Sequence, residues 1–519
     1  MKKDKQELKY CAKEEYQRLH PYRTSLEGVW RDCSALTLPY IFPDEFKDES
    51  TFLPTPYNSI GPSAVNALAA KLLLALLPPT GNFFRLLPNE EAVQVQTKGM
   101  QKEQIKQFMD MLDTELSKLE QDVMHLINFQ ALRVPLFEAI KLLIVTGNSL
   151  VYKVKNVGIK VFTPYQYVIE RDYAGNLTTL VILEKIAKVT LPDSVLELID
   201  NKEAEIGQEG DCKDVEVYTL VKRTGNDKYQ VVQEINKVKI PGTEKEYTKE
   251  TLPYLPLRWT SVSNEDYGRG LVEQYLGDLR SLEGLTKMIV QGGGIMAKTI
   301  FGLKPSSYTK VDDLNNAQNG DFIMGDLEKD VTVLQVTKGN DMNVPYQLMQ
   351  SLEQRLAKSF LMFSSQVRDS ERTTAAEVRL VANELEATLG GTFSVLAADL
   401  QLPLLTLLLN EMEPKSLKVT TPTISTGIEA ISRERDFQNL NTMLQSMAQL
   451  GEETINTYLN IPKYLSKIAT SLGMDAQDIV KSQKQIQQEQ QLQMQQEQQL
   501  QQQQQQAELQ KAKIQKGQQ

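Results

Sequence analysis

From Lys13 to about Val145 the chain repeats apolar positions at helical spacing. "KEEYQRLHPYRTSLEGVWRDCSALTLP" alternates charged and apolar residues three and four apart, then breaks at Pro39. "AVNALAAKLLLALLPP" (64–79) is apolar apart from Asn66 and Lys71 and is stopped by Pro78-Pro79. It falls short of the roughly 20 residues a bilayer requires, so it predicts a buried helix and no membrane span. "TKGMQKEQIKQFMDMLDTELSKLEQDVMHLI" and "VPLFEAIKLLIVTGNSL" predict two further helices, the second ending at Gly147-Asn148. The period then changes. "LVYKVKN", "IKVFTPYQYVIERD" and "LTTLVILEKI" read as strands with a tight turn at Ala174-Gly175-Asn176, and "DVEVYTLVKRTGNDKYQVVQEINKVKI" as a hairpin turning at Thr224-Gly225-Asn226-Asp227.

After Gly268 the helical period returns. Leu271, Tyr275, Leu276, Leu279, Leu282 and Leu285 share one wide face of a helix predicted from Gly270 to Gln291. Gly292-Gly293-Gly294 predict its end, because three residues of poor helix propensity arrive together. A short mixed module follows from Lys298 to Val336, with strand-like "KTIFGL" and "DVTVLQV". A second helix spans Val344 to Met362, and "SSQVRDSERT" reads as a polar loop. Thr374-Ala375-Ala376-Glu377 fits a capping box that opens a helix with Val378, Val381, Ala382, Leu385 and Leu389 on its buried stripe. Gly390-Gly391 permit a kink before "LQLPLLTLLLNEM". A smaller helical unit lies beyond Ser432. From Gln483 onward 21 of 37 residues are glutamine, which predicts a solvated or partly helical tail with only a weak heptad signal. The fold class expected is helix-rich α+β.

Composition narrows the function classes. Lys plus Arg number 57 against 67 Asp plus Glu, a net charge of −10. An acidic chain is a poor non-specific binder of nucleic acid, which relies on neutralising phosphates; it remains compatible with DNA sliding past without sticking. Cys11, Cys33 and Cys212 form no CxxC pair, which argues against a disulfide framework or a cysteine zinc site. The only histidines are His20 and His125, so acid–base or metal chemistry, which usually recruits histidine, is not expected.

One stretch imitates a nucleotide site. In "VQGGGIMAKTIFG", Gly292 is followed by four residues and then Ala297-Lys298-Thr299, one glycine short of a P-loop. A working P-loop lies between a strand and a helix; here a helix precedes the glycines and a β-branched run follows. The expectation is a helix stop and hinge at Gly292, Gly293 and Gly294. "YGRGLVEQ" lacks the third glycine of a dinucleotide loop. No GxSxG, HExxH or EF-hand pattern is present, so no catalytic residue, cofactor or metal ligand is expected.

Several stretches in order carry a family resemblance. They are "LPYIFP", "LAAKLLLALLPP", "LFEAIKLLIVTGN", "DYGRGLVEQYLGDLRSLEGL", "TAAEVRLVANELEATLGGTFSVLAADLQLPL" and "PTISTGIEAISRERD". Together they resemble the portal, or head–tail connector, proteins of short-tailed, podovirus-type bacteriophages; the Gln-rich tail is not covered.

The resemblance implies a homo-oligomeric ring, typically a dodecamer, at one capsid vertex of the virion, assembled in the host bacterial cytoplasm. It implies a wing over 1–262, a first stem helix over 263–297, a clip over 298–339 and a second stem helix over 340–363. A tunnel loop over 364–373, a long wing helix with its return over 374–431, a helical crown over 432–480 and a tail over 481–519 complete the order. It also implies a conduit for DNA packaging and ejection, and a nucleator of head assembly. The partners it implies are the major capsid protein, scaffolding protein, the terminase large subunit (an ATPase), the tail adaptor, internal core proteins and double-stranded DNA. On this reading Arg368, Asp369, Ser370, Glu371 and Arg372 face the channel constriction, and Lys298, Lys304 and Lys310 lie at the channel mouth or docking surface. Two other readings stand beside it: a motor ATPase using the loop at Gly292, and a coiled-coil scaffold or adaptor run by the Gln-rich tail.

Overall fold

A computed structural model describes residues 11–43, 53–79, 83–88, 90–98, 100–191, 195–196, 214–225, 227–235, 237–296, 300–334, 343–362, 375–389, 391–412, 423–425 and 433–449, together with 461, 464, 465 and 468. The chain divides into two compact units. The larger comprises Met1–Leu77, Val123–Asp369 and Val381–Pro414.

In the larger unit, α1 (Ala12–Ala35) lies on an antiparallel sheet built from β4 (Tyr167–Arg171), β5 (Leu177–Ala187), β6 (Asp214–Arg223) and β7 (Lys228–Ile235). The short strands β8 (Val238–Lys239) and β9 (Lys245–Thr248) both pair with β7. Ala12, Tyr16 and Leu19 of α1 pack on Val168, Val181, Tyr218 and Leu220, the i, i+3, i+4 stripe meeting one face of the sheet. Cys11, the N-cap of α1, offers its helix no side-chain cap. Glu234 of β7 does that work from 222 residues away: Oε2 accepts the Ala12 amide at 2.6 Å and Oε1 accepts the Cys11 thiol at 2.7 Å, a carboxylate at the positive end of the helix.

Helices α2 (Ile60–Leu76) and α5 (Arg133–Thr146) pack together, buried along Leu68, Leu72, Leu136, Ile140 and Leu143. The end predicted for α5 is the end observed. Gly147 takes φ +79° and its amide bonds Leu143 O, the left-handed cap that glycine adopts without a Cβ penalty. The chain continues straight into β2 (Asn148–Val154), the centre of a three-stranded sheet with β3 (Gly158–Phe162) and β10 (Tyr254–Arg258). The turn at Gly175, with φ +80°, and the hairpin joining β6 to β7 also fall where the sequence predicts them.

The helix predicted from Gly270 is in two pieces, a single turn Leu271–Gln274 and a long helix Leu276–Met296. The predicted stop at Gly292-Gly293-Gly294 is not found, because the long helix runs through all three glycines. Each glycine costs a helix about 1 kcal/mol relative to alanine. That is too little to end a helix already nucleated over several turns, with Leu279 and Leu282 buried along it. Beyond it, β11 (Ile300–Leu303) and β12 (Val331–Leu334) pair antiparallel, with Ile300 opposite Leu334 and Leu303 opposite Val331. The next helix spans Asn343–Ser359 and closes in a Schellman turn, with the Met362 amide on Ala357 O and the Leu361 amide on Lys358 O.

The helix expected after the capping box spans Ala375–Leu389, with Val381 and Leu385 buried; Thr374 itself lies outside the described residues. Gly391, at φ +88°, breaks the chain before Thr392–Leu396, and a π turn at Ala397–Gln401 leads into Leu402–Met412. The run Thr392–Met412 is long and apolar enough to cross a membrane, yet half of it is buried inside the chain. Phe393, Leu396, Leu400, Leu404, Leu405 and Leu408 are spent on the unit's own core.

The second unit comprises Pro78–Asp122, Ser370–Leu380 and Lys415–Gln519. It contains a pairing that local sequence does not predict: β1 (Arg85–Leu87) lies antiparallel to β13 (Thr423–Ser425), Leu86 opposite Ile424. Glu120 fixes β1 by accepting the Leu86 amide at 2.8 Å, and Phe83 packs edge to face on Phe84. Helix Arg433–Ala448 begins the region expected to be helical after Ser432, and the Leu440 carbonyl accepts the Tyr464 hydroxyl. The Gln-rich tail lies outside the described residues.

Candidate functional site

The two helices expected to line a channel, Leu276–Met296 and Asn343–Ser359, pack side by side, and polar side chains from three other segments fix them. The first anchor is a backbone knot of glycines. A Cβ on Gly270 would stand 2.8 Å from Val145 O and 2.9 Å from Gly147 N; one on Gly268 would stand 2.7 Å from Gly147 O. Only glycine lets the end of α5 and the "DYGRG" segment approach this closely. Asn148 bridges them: Oδ1 accepts the Gly268 amide at 2.7 Å, and Nδ2 donates to Gly268 O and Thr146 O. The knot therefore sets the direction in which the chain leaves Gly270 for the long helix.

The second anchor is the turn before α2. Glu283, on the long helix, accepts the backbone amides of Tyr57 and Asn58 at 2.9 and 3.2 Å. Asn58 Nδ2 then spans both helices, donating to Thr286 Oγ1 at 3.2 Å and Glu353 Oε1 at 2.8 Å. Arg355 pairs with Asp278 across the same seam, and Arg280 ties the long helix to Asp32 of α1. An Asn58→Ala variant removes a side chain that bonds both helices. It is expected to cost about 1–3 kcal/mol, read as a lowered melting temperature and as faster amide exchange in 276–296 and 343–359 than in β5 and β6.

The third anchor is Lys71, the lone cation in the apolar stretch of α2. Its ammonium donates to Leu361 O at 2.6 Å, at the carbonyl end of helix 343–359, where a positive charge is favourable. Burial pushes the Lys71 ammonium below its ordinary range, only partly offset by Glu384. Phe360, fully buried, packs against Tyr275, so the two helices are also joined where one begins and the other ends. Behind them, Arg171 donates to the carbonyls of Asp266, Gly175 and Pro256. Burial and then the neighbouring Arg258 lower its guanidinium to about 10, while burial raises the carboxyls of Asp266 and Asp399.

Of the residues singled out by sequence, Lys304 and Lys310 lie exposed in the module that joins the two helices. The Lys304 amide bonds Asp330 O, and Lys310 precedes the short helix Val311–Asn316. Gly292, Gly293 and Gly294 are helical rather than a stop. Lys298 and the series Arg368, Asp369, Ser370, Glu371 and Arg372 lie outside the described residues. The residues that hold the helix pair, Asn58, Lys71, Asn148 and Glu283, were not among those singled out. Lys71 alone carried a signal, as a charge within an apolar run.

The helical backbone at Gly292–Gly294 bears on the nucleotide reading. A phosphate cradle needs backbone amides free to turn toward the ligand, and here the glycines sit inside a helix.

Comparisons with known proteins identify relatives along nearly the whole chain. A family profile described as bacteriophage head to tail connecting protein matches residues 10–480. The chain is 35% identical over 495 residues to the portal protein of Escherichia phage T7, covering 92% of this chain and 89% of that protein. It is 35% identical over 488 residues to the portal protein of Enterobacteria phage T3, again covering 92% and 89%. It is 29% identical over 462 residues to the portal protein of Enterobacteria phage SP6, covering 88% and 86%.

Proposed function

The chain belongs to the bacteriophage head-to-tail connecting proteins, and from that premise we propose that it forms the portal ring of a short-tailed phage. Copies of it close a ring at one capsid vertex, nucleate the head there and give DNA a way in and out. The observation that carries this reading is the match at 35% identity along 92% of the chain and 89% of the relative. The role is structural: a conduit and docking platform on which the terminase ATPase and later the tail adaptor act in turn, with major capsid, scaffolding and internal core proteins as neighbours.

Within that role, 276–296 and 343–359 act as the stem and the module between them as the clip. The glycines at 292–294 act as a compliant stretch of stem helix rather than as its end. The segment 364–373 is the tunnel loop. An acidic channel repels the DNA backbone, and a few basic groups keep the duplex centred without the many phosphate contacts that would arrest sliding. Arg368 and Arg372, opposed by Asp369 and Glu371, serve that purpose; Lys298, Lys304 and Lys310 serve the mouth. Replacing both arginines by alanine is expected to leave rings intact and to lower the amount of DNA retained in filled heads, measured by complementing a portal-null phage. Normal packaging and retention by the double variant would remove the two arginines from the mechanism.

A further inference from the structure

Asn319-Gly320 is the sole Asn-Gly pair in the chain, and it lies in the module between the two long helices. Both residues are exposed. The Asp321 amide donates to Gln318 O at 3.1 Å, and the Gln318 amide donates to Asp321 Oδ2 at 2.7 Å. These bonds close a turn with Asn319 and Gly320 at its two central positions. Gly320 takes φ +104°, the left-handed conformation that favours glycine at the second of them. Among the described residues, neither the Gly320 amide nor the Asn319 side chain is held by a hydrogen bond. A Cβ built on Gly320 meets nothing within 4 Å, so the turn has room to rearrange.

An unengaged backbone nitrogen thus follows an unengaged carboxamide. With no side chain on residue 320 to obstruct it, the nitrogen reaches Asn319 Cγ once ψ of Asn319 rotates. We propose that Asn319 is a site of spontaneous deamidation. The Gly320 nitrogen gives up its proton and bonds Asn319 Cγ, the Cγ–Nδ2 bond breaks, and ammonia leaves carrying that proton. Water then opens the five-membered succinimide at either carbonyl, leaving aspartate or its β-linked isomer. The fold discriminates among asparagines. Asn58 and Asn148 also precede a small residue, serine, but Asn58 Nδ2 donates to Thr286 and Glu353, and buried Asn148 donates to Gly268 O and Thr146 O. Deamidation at 319 puts another carboxylate beside Asp321, in a module (300–334) that already sets six carboxylates against three lysines. This surface therefore grows more acidic with the age of the chain. The chemistry stands apart from the portal reading; on that reading, the surface that ages is the clip.

The test incubates the full-length purified protein in heavy-oxygen water at neutral and at mildly alkaline pH, followed by peptide mapping with mass spectrometry. The expected result is uptake of heavy oxygen at residue 319 that grows with time, is faster at the higher pH, and adds one negative charge per chain on isoelectric focusing. The peptides holding Asn58 and Asn148 are expected to stay unlabelled. An Asn319→Gln variant, whose longer side chain would have to close a slower six-membered ring, is expected to lose the signal. An unlabelled Asn319 in the folded chain, while a synthetic peptide of residues 314–325 becomes labelled, would overturn the proposal, because the turn would then protect the residue. Equal labelling at Asn58, Asn148 and Asn319 would overturn it as well, since the fold would then select nothing.

Discussion

Gly270→Ala is expected to be strongly destabilising, because the added methyl has only backbone to meet. The added Cβ would lie 2.8 Å from Val145 O, 2.9 Å from Gly147 N and 2.9 Å from Ile144 O. All three are backbone atoms at the end of α5, so no side chain can swing aside. Forced overpacking costs about 1–3 kcal/mol, and parting the two segments also breaks the Asn148 bonds to Gly268, each contributing about 1 kcal/mol. We expect a loss of roughly 3–5 kcal/mol, seen as insoluble expression or a melting temperature lowered by several degrees. Gly277→Ala is the matched control. It lies in the long helix with nothing within 4 Å of its would-be Cβ, and the purified chain should melt no lower, since alanine favours the helix by about 1 kcal/mol.

Removing the carboxylate of Glu411 is expected to cost about as much, by a different route. Its Oε2 accepts Lys153 Nζ at 2.6 Å, and Oε1 accepts Gln130 Nε2 and the Asn156 amide, each at 2.8 Å. Both charged side chains are almost fully enclosed, at 3% and 7% exposure. Glu411→Ala strands a buried ammonium, a change that costs about 3–5 kcal/mol. Burial raises the Glu411 carboxyl, but the donors from Lys153, Gln130 and Asn156 more than reverse this and leave it below its ordinary value of 4.5. A folded-state value below the unfolded one means the unfolded chain binds the extra proton first. The pair's contribution is therefore fully present above pH 4.5 and is lost as pH falls through the lower folded value. Denaturation curves between pH 7 and pH 3 should show the wild type losing its advantage over Glu411→Gln at the acid end.

The parts legible in sequence were those specified locally. Gly147 ended α5 because a helix needs a left-handed residue there, and Gly175 made its turn for the same reason. The strands announced themselves by period two, and the helix 343–359 by period 3.6. Gly292–Gly294 misled because propensity is a weak prior that a long, partly buried helix overrides. The polar clamps were illegible for a different reason. Asn58 on Thr286 and Glu353, Glu234 on the start of α1, and Asn148 on Gly268 each join residues more than 100 positions apart, and a single polar residue leaves no periodic trace. The pairing of β1 with β13 was hidden likewise, since three-residue strands carry too little pattern to announce a partner 338 residues away.

The resemblance read from "DYGRGLVEQYLGDLRSLEGL" and its companion stretches did reach the family, and the geometry explains what part of that stretch does. Its first two glycines, Gly268 and Gly270, belong to the knot with α5, its Glu283 to the turn before α2, and its Asp278 and Arg280 to the two ion pairs that seat the long helix. The motif is an anchoring device for the long helix.

On the proposed function, this chain closes a ring around a channel wide enough for duplex DNA. Single-particle electron microscopy of the purified full-length protein tests it most directly. Closed rings of identical copies are expected, with the helix pair 276–296 and 343–359 repeated around an open axial hole. Monomers, two-fold dimers or rods under conditions where the chain is folded would contradict it.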